Sequence, residues 1–315
     1  MLIMSDHPKN EVAQTTAAVA IASADAIGES PVWDQAGQRL LWIDHLKGVV
    51  HEAKPDGHPG WRETRRWELH RHLAAAIPRA RGGLIVAAGT EVLGLDESGA
   101  LTPFAAIAAD PALIRMNDAK CDPRGRLWVS TLSTEFRPVA TLYRIDPDGK
   151  VTAVLDGLAL ANGLDWSPDG TRFYLIDTLT AGIDVFDFDA DSGTIAKRRT
   201  LVKIERGAGG ANGLTVDETG CLWVALTGGG EVRRYSPQGG LLQRVAISVP
   251  GATSCAFGGA HGEELFITSR SGRMPDIASS IGVAADKMES TGPDAGAVFV
   301  CRPGARGRPG AIFGG

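Results

Sequence analysis

The sequence predicts an all-β protein, a six-bladed β-propeller, and three observations support this prediction. The unit Ala161-Asn162-Gly163-Leu164, followed by an Asp/Gly turn and an aromatic strand, recurs about 50 residues later at Ala211-Asn212-Gly213-Leu214. A large apolar residue occupies the same place in six successive units, about 43 to 49 residues apart: Trp42, Ile85, Trp128, Tyr174, Trp223 and Phe266. Four short strands are indicated in most units, without a helical period. A repeat of four strands at this spacing is typical of a propeller blade.

Each unit begins with two strands joined by a tight turn. The turn is rich in Asp, Pro and Gly, and the second strand is rich in aromatic and β-branched residues. In chain order, these strand pairs are predicted at residues 28–34 and 40–44, 74–77 and 84–87, 117–120 and 127–130, 161–164 and 173–176, 211–214 and 222–225, and 253–257 and 265–268. The outer strands are predicted near residues 48–53, 92–96, 141–146, 182–188, 231–235 and 297–301.

One compact domain is predicted for residues 19–315, because a blade cannot bury its faces without its neighbours. Residues 1–18 are predicted to form a flexible N-terminal tail. The alternating segment from Val19 to Ala24 is expected to add a strand to the last blade and to close the ring.

The composition of the chain narrows its class of partners. The formal net charge is -5 and there is no basic cluster, which argues against a nucleic-acid partner. No run of 18 apolar residues occurs, so we expect no membrane span. The four cysteines lie far apart in the sequence, which favours free thiols in a reducing cytoplasm. We therefore expect a cytoplasmic protein, a monomer or a weak homodimer, with a small-molecule partner.

The repeat also predicts which residues meet at the centre of the ring. In a propeller the first strand of each blade lines the central channel. Aligning the six units places these residues at equivalent positions: Glu29, Ala74 or Ala75, Asn117, Asn162, Asn212, and Thr253 or Ser254. One carboxylate with several amide carbonyls is a hard oxygen donor set that suits one divalent cation, such as Ca²⁺, Mg²⁺ or Mn²⁺. A single Asn is more often a turn residue, but three at matching positions beside a Glu favour a metal site.

Four motifs in this order resemble the gluconolactonase/regucalcin (senescence marker protein) family: Gly28-Glu29-Ser30-Pro31-Val32-Trp33, Arg115-Met116-Asn117-Asp118, Asn162-Gly163-Leu164-Asp165-Trp166-Ser167 and Thr253-Ser254-Cys255-Ala256-Phe257-Gly258-Gly259. The resemblance spans roughly residues 25–303. It implies one divalent metal ion in the channel (Ca, Zn, Mn, Mg or Fe) and, in carbohydrate metabolism, hydrolysis of sugar lactones to aldonic acids. By matching motifs, it makes Glu29 and Asn162 metal ligands, Arg115 and Asn117 substrate-binding residues, and Glu135 a further substrate contact.

The chain departs from the family pattern at Asn212, where the family usually has Asp. That Asp is taken in the family as both a metal ligand and a candidate general base. The carbonyl oxygen of Asn212 can still bind a cation, but the amide cannot accept a proton. The base must therefore come from elsewhere or be absent. Asp118, which follows Asn117 in the sequence, is another candidate for the base. In a regular strand, however, its side chain would point away from the face of Asn117.

Three functions remain open on this reading. The first is a metal-dependent lactonase, in which the metal polarises the ring carbonyl and Arg115 binds hydroxyl groups or the developing oxyanion. The second is a divergent enzyme that uses the same metal on another ring substrate or as a lyase or isomerase, because Asn212 replaces the usual acid. The third is a non-catalytic metal-binding propeller. The segment 270–292 is expected to fold over the channel as a lid.

Overall fold

The structure is a computed structural model that describes residues 12–57, 60–274 and 277–315 of the 315-residue chain. Six blades stand in a ring, so the predicted six-bladed β-propeller is confirmed. The innermost strand of each blade packs against the innermost strands of its neighbours, and the last blade contacts the first. The ring therefore surrounds one central channel.

The strands are assigned as follows, with two N-terminal strands, β1 (Ala13–Thr16) and β2 (Ala18–Ile21), before the first blade. Blades 1 and 2 contain β3 (Gly28–Asp34), β4 (Arg39–Asp44), β5 (Val49–Gly57), β6 (Gly60–Glu68), β7 (Leu73–Pro78), β8 (Leu84–Ala88), β9 (Glu91–Leu95) and β10 (Leu101–Ala106). Blades 3 and 4 contain β11 (Ile114–Cys121), β12 (Leu127–Ser133), β13 (Ala140–Ile145), β14 (Val151–Leu158), β15 (Ala161–Trp166), β16 (Arg172–Asp177), β17 (Gly182–Asp189) and β18 (Thr194–Lys203). Blades 5 and 6 contain β19 (Gly210–Val216), β20 (Leu222–Thr227), β21 (Glu231–Tyr235), β22 (Leu241–Ala246), β23 (Ala252–Gly258), β24 (Glu264–Ser269) and β27 (Val298–Cys301).

Between β24 and β27 the chain forms a small separate layer. It contains the two-stranded ribbon of β25 (Gly272–Arg273) and β26 (Glu289–Ser290), the helix α1 (Ala278–Ile281) and a 3₁₀ turn at Ala285–Met288. A second 3₁₀ turn follows β16 at Thr178–Thr180. None of the described helices is long and apolar enough to span a lipid bilayer.

The N-terminal segment closes the ring. Strand β2 pairs with β27 and completes blade 6, as expected for the segment that begins at Val19. The predicted tail needs a correction at its C-terminal end, because β1 pairs in parallel with β22 at the outer edge of blade 5. That pairing joins residues more than 200 positions apart, so no local sequence pattern predicts it. Residues 1–11, the rest of the predicted tail, lie outside the described residues.

The aromatic residues that marked the repeat form the core between blades, as predicted. Trp42, Trp128 and Trp223 are fully buried, at 0% exposure each. Trp128 packs on Trp166 and Phe173 of the next blade. Each of the three indole groups donates a hydrogen bond to a buried carboxylate, Trp42 to Asp25, Trp128 to Asp122 and Trp223 to Asp217. The polar end of each Trp is thus satisfied inside the core.

The glycine-rich end of the chain, residues 302–315, is named here the C-terminal strap. It crosses one face of the ring, where the backbone of Gly307 bonds to Gly262 of blade 6 and Phe313 bonds to Pro78 of blade 2. Between these points, Arg308 donates to Asp165 and to the carbonyl of Trp166 at the end of β15. The strap therefore covers the channel at the C-terminal ends of the innermost strands.

All four cysteines are free thiols, as predicted. Three of them, Cys121, Cys221 and Cys255, are buried, and Cys301 is half-buried. Burial raises the pKa of Cys255 and Cys301 to about 12, so these thiols are protonated and unreactive at neutral pH.

Candidate metal and substrate site

The predicted site residues meet at the end of the channel opposite the C-terminal strap. Glu29, Asn117, Asn162 and Asn212, from four different innermost strands, line one cavity of about 100 Å³. A volume of this size holds an ion with a few water molecules. The equivalent residues of blades 2 and 6 are buried outside it: Ala74, Ala75, Thr253 and Ser254.

A β-bulge in each innermost strand directs these side chains toward the axis. The pairing register with the second strand shifts between Glu29 and Val32 in β3, between Met116 and Asp118 in β11, and between Ala211 and Leu214 in β19. Strands β7, β15 and β23 shift at the equivalent place. A bulge turns a side chain out of the regular alternation. The six-fold repetition of the bulge thus explains why one position in each blade faces the centre.

Glu29 is the one carboxylate among the described residues that line the cavity. It is 8% exposed, and its Oε1 accepts a hydrogen bond of 3.2 Å from the Nδ2 of Asn212. Burial raises the pKa of Glu29 well above its ordinary value, and the nearby carboxylate of Asp118 raises it further. A buried carboxylate with so little compensation is stabilised by a cation.

Asn162 is oriented by a residue that the repeat did not reveal. Its Nδ2 donates to the Oγ1 of Thr178 at 3.1 Å, and this hydroxyl in turn donates to the carbonyl of Ala211 at 2.7 Å. Because the amide nitrogen is engaged, the carbonyl oxygen Oδ1 of Asn162 remains for a ligand. Thr178 follows β16 immediately, at a position with no sequence signature.

Asn212 provides the clearest test of whether these residues suit a metal ion. Its Oδ1 is buried and has no hydrogen-bond partner among the described residues, while its Nδ2 faces Glu29. An unsatisfied buried carbonyl oxygen is costly, and a hard cation is a suitable partner for it. The described residues contain no cluster of three or more His, Cys, Asp or Glu that could hold a metal. That absence is expected for a donor set in which two of three ligands are amides.

Arg115 and Asn117, which the family resemblance makes substrate-binding residues, both line the cavity. Asn117 donates to the carbonyl of Ala161 at 2.7 Å, which links blades 3 and 4. The Nε of Arg115 is buried without a hydrogen-bond partner among the described residues. Burial lowers the pKa of Arg115, whose guanidinium faces the cavity. Its free donors can bind a ligand oxygen.

His45 also lines the cavity, although no motif of the sequence indicates it. It directly follows β4, and its backbone N–H donates to the carbonyl of Ile27 next to the β3 bulge. The pKa of His45 falls to about 3, first through burial and then through the charges of Arg115 and His72. The imidazole is therefore neutral at physiological pH.

The structure does not place Asp118, the candidate base, in the cavity. Its carboxylate lies beside the Ser30 hydroxyl, at 2.7 Å, and accepts a bond from the N–H of Ala119. Burial raises the pKa of Asp118. From the sequence, we expect Asp118 to point away from the face of Asn117 in a regular strand. Strand β11 is not regular here, because it has a bulge between Met116 and Asp118.

Glu135 is likewise not brought to the site. Its carboxylate is half exposed and lies 3.3 Å from Arg137, outside the cavity. The neighbouring Phe136, in a left-handed conformation with φ 55°, lines the cavity instead. Because the loop after β12 is irregular, the sequence does not show whether Glu135 or Phe136 faces the cavity.

The segment between β24 and β27 covers the cavity, as the lid expectation requires. Met274 and Ile277 line the cavity together with Leu132 and Leu160 of the ring. Around them, α1 and the following turn form an apolar cluster on blades 3 and 4. Residues 275 and 276, which belong to the predicted lid, lie outside the described residues.

Comparison with known proteins places these features in context. Residues 27–271 match the sequence model of the SMP-30/Gluconolactonase/LRE-like region. The regucalcin of Danio rerio is 34% identical over 295 residues, covering 92% of this chain and 95% of that protein. A luciferin-regenerating enzyme superposes with a TM-score of 0.84 at 27% identity, covering 95% of this chain and 99% of that one. Regucalcin from Agrobacterium tumefaciens, described as a calcium-binding protein, superposes with a TM-score of 0.83 at 25% identity, covering 96% and 99%.

Proposed function

The chain belongs to the SMP-30/gluconolactonase/LRE-like family, and on that premise we propose that it is a metal-dependent hydrolase that opens a sugar lactone to its sugar acid. One observation supports the proposal most directly. The carboxylate of Glu29 and the Oδ1 of Asn212, which has no hydrogen-bond partner among the described residues, lie in the same small cavity as Asn162 and Arg115. This set joins oxygen ligands for a cation with a donor group for a substrate.

Glu29, Asn162 and Asn212 would hold the cation. When bound, a divalent cation supplies Lewis-acid polarisation of a carbonyl and lowers the pKa of coordinated water. The calcium-binding regucalcin of Agrobacterium tumefaciens is a relative that makes Ca²⁺ one candidate. The oxygen-only donor set also suits Mg²⁺ and Mn²⁺.

The other cavity residues bind and orient the lactone. Arg115 offers guanidinium donors to ring hydroxyls or to the oxyanion that develops on the carbonyl oxygen. Asn117 is fixed by its bond to Ala161, and its remaining oxygen can orient a substrate hydroxyl. Met274 and Ile277 of the lid exclude bulk water, which strengthens these polar contacts.

His45 is the free proton acceptor in this arrangement. The amide of Asn212 cannot take a proton, and Glu29 would be engaged by the cation. Among the described lining residues, this leaves the neutral imidazole of His45. A base with a pKa of about 3 is weak, but a lactone is an activated ester and its hydrolysis needs only modest assistance.

The test is acid release from a panel of aldonolactones with Ca²⁺, Mg²⁺, Mn²⁺, Zn²⁺ or Fe²⁺ added to chelator-treated protein. We expect release that depends on the cation and is lost in Glu29→Gln. Glu135→Gln is the matched control, since that carboxylate lies outside the cavity and its loss should leave the rate unchanged. No acid release with any cation would refute the proposed function.

A second candidate follows from the missing acid at position 212. The site could use the same cation on another oxygenated ring or as a lyase or isomerase. The Asn212→Asp variant separates the two candidates. A large gain in lactonase activity in this variant would indicate that the native protein is adapted to other chemistry, whereas a loss or no change supports the lactonase.

A further inference from the structure

Two arginines at or beside the cavity have no carboxylate partner in the described part of the chain. Arg115 faces the cavity, and the described residues place no carboxylate within ion-pair distance of its guanidinium. After burial, the charge of Arg115 is the next cause of the lowered pKa of His45, which lines the same cavity. Elsewhere in the protein, buried arginines are paired: Arg126 lies 2.6 Å from Asp122, and Arg233 lies 2.6 Å from Glu231.

Arg270 is a second guanidinium of this kind, in the wall beside the cavity. It is 1% exposed, and its Nη2 has no hydrogen-bond partner within the described part of the chain. Its Nε donates to the hydroxyl of Thr227, its Nη1 donates to the carbonyl of Gly272, and its backbone pairs with Ile27. Both Thr227 and Ile27 line the cavity. Burial lowers the pKa of Arg270 to about 10, the direction expected for a cation without a counter-ion.

The residue at position 212 increases the imbalance. Asn212 is neutral, so the cavity is one unit more positive than it would be with an aspartate there. Glu29 is the one acid among the described lining residues, and a cation would offset its charge. Two guanidinium groups then remain without compensation. Arg270 is buried and Arg115 is half-buried. A cation withdrawn from water without a partner is costly, which indicates that a ligand supplies the missing negative charge.

We propose that the lactone bound by this site carries a carboxylate of its own, so that the substrate is an anionic sugar-acid lactone rather than a neutral aldonolactone. The carboxylate would be attracted by Arg115, with Arg270 contributing through the cavity wall. The statement that this anionic lactone is hydrolysed rests on the proposed function. The statement that the site binds an anionic sugar acid does not. The oxyanion formed on a neutral lactone is a single transient charge beside the cation, and it would leave the guanidinium groups uncompensated in the ground state.

Two lactones with the same ring test the substrate class. Glucaro-1,4-lactone carries a carboxylate at C6, where glucono-1,4-lactone carries a hydroxymethyl group. We expect kcat/KM to be at least about tenfold higher for the glucarolactone. The advantage should shrink as ionic strength rises, because salt screens the attraction between charges. Equal values, or a preference for the neutral lactone, would overturn the inference while leaving the lactonase intact.

Variants locate the source of the preference. Asn212→Asp adds one negative charge to the cavity without deleting a buried group, so the ratio of the two kcat/KM values should fall by several-fold. Arg270→Met should lower the same ratio, and Arg270→Lys, which keeps the charge, is its matched control. A ratio unchanged in both Asn212→Asp and Arg270→Met would contradict the assignment, whatever their absolute rates.

Binding of the acids provides a readout that does not need turnover. By calorimetry, glucarate, with two carboxylates, should bind at least about tenfold more tightly than gluconate, with one. If neither lactone is hydrolysed but glucarate binds preferentially, the proposed reaction fails and the inference about the ligand stands. If both acids bind equally, the inference fails even for an active lactonase.

Discussion

Asn212 determines how strongly the cavity can hold a cation. Its amide contributes one oxygen ligand and no charge, and its Nδ2 donates to Glu29. Cation affinity in oxygen-ligand sites rises with the number of charged ligands. The wild-type site should therefore bind divalent cations weakly compared with a site that has two carboxylates.

The Asn212→Asp variant should bind Ca²⁺ at least about tenfold more tightly, because it adds a second carboxylate to the donor set. Calorimetric titration of chelator-treated protein measures this. Without metal, the variant should be less stable than wild type, since two carboxylates then repel each other. Asn117→Asp is the matched control, because it adds the same charge to the cavity at a position that is not one of the three proposed ligands. Equal strengthening by both variants would contradict the ligand role of Asn212.

His45 should make the metal-free protein sensitive to acid. Its folded pKa of about 3 lies below the unfolded value of 6.5, so between these pH values the unfolded chain binds the extra proton. Stability from this residue is fully present above pH 6.5 and falls by about 1.4 kcal/mol per pH unit as the pH decreases toward 3.

In His45→Gln, the free energy of unfolding should therefore decrease less steeply over that range. Urea titrations at a series of pH values give the comparison. His261→Gln, at an exposed position, serves as control for the loss of any histidine. Parallel curves for wild type and His45→Gln would show that the imidazole is solvated rather than buried.

At the scale of single elements, the innermost strands perform two tasks with adjacent residues. In β15 and β19, an Asn faces the axis and the next residue is glycine. A Cβ added at Gly163 would lie 2.4 Å from the backbone nitrogen of Leu214, and one at Gly213 would lie 2.0 Å from the Oγ of Ser254. The glycines thus allow neighbouring innermost strands to approach closely enough for their Asn side chains to share one cavity.

The C-terminal strap is the element that joins distant blades across the face of the ring opposite the cavity. Phe313 is fully buried among residues of blades 2 and 3, including Ile77 and Cys121. Phe313→Ala should lower the free energy of unfolding by on the order of 3–5 kcal/mol, because it removes a buried aromatic ring. Denaturant unfolding measures the loss.

The adjacent Ile312 offers a matched control for the strap. It is 46% exposed, so Ile312→Ala should change the stability by less than about 0.5 kcal/mol. If both substitutions cost the same small amount, the strap is not anchored in the core.

For the whole molecule, stability depends on closing the ring. A propeller blade buries its faces only against neighbours, so an open ring exposes two faces at once. Here β2 supplies the outer strand of blade 6, and β1 extends blade 5. The ends of the chain therefore hold together blades that are far apart in sequence.

Deletion of residues 1–21, which removes β1 and β2, should broaden thermal unfolding and lower its midpoint, because blade 6 would then keep three strands. Calorimetry should show a calorimetric enthalpy above the van't Hoff value, the sign of lost cooperativity. The chain that begins at Val12 is the reference, since it retains both strands. A sharp transition equal to that reference would show that the ring closes without them.

The repeat in the sequence was sufficient to predict the number of blades, the order of strands within them and the residues that face the axis. Trp42, Trp128 and Trp223 recur because every blade must bury the same surface, and the aligned Glu29, Asn162 and Asn212 occupy one bulge position in each repeat. These features are local and periodic, so a single chain displays them without knowledge of its contacts.

The surroundings of those residues are apparent only in the folded chain. Folding brought His45, Thr178 and Arg270 to the cavity or its wall, left Glu135 in solvent, and placed Asp118 behind Glu29. It also drew β1 and the C-terminal strap across blades that are far away in sequence. Each of these placements depends on loops, bulges or long-range pairings that occur once. A contact that occurs once produces no repeat in the sequence, so it cannot be predicted from periodicity.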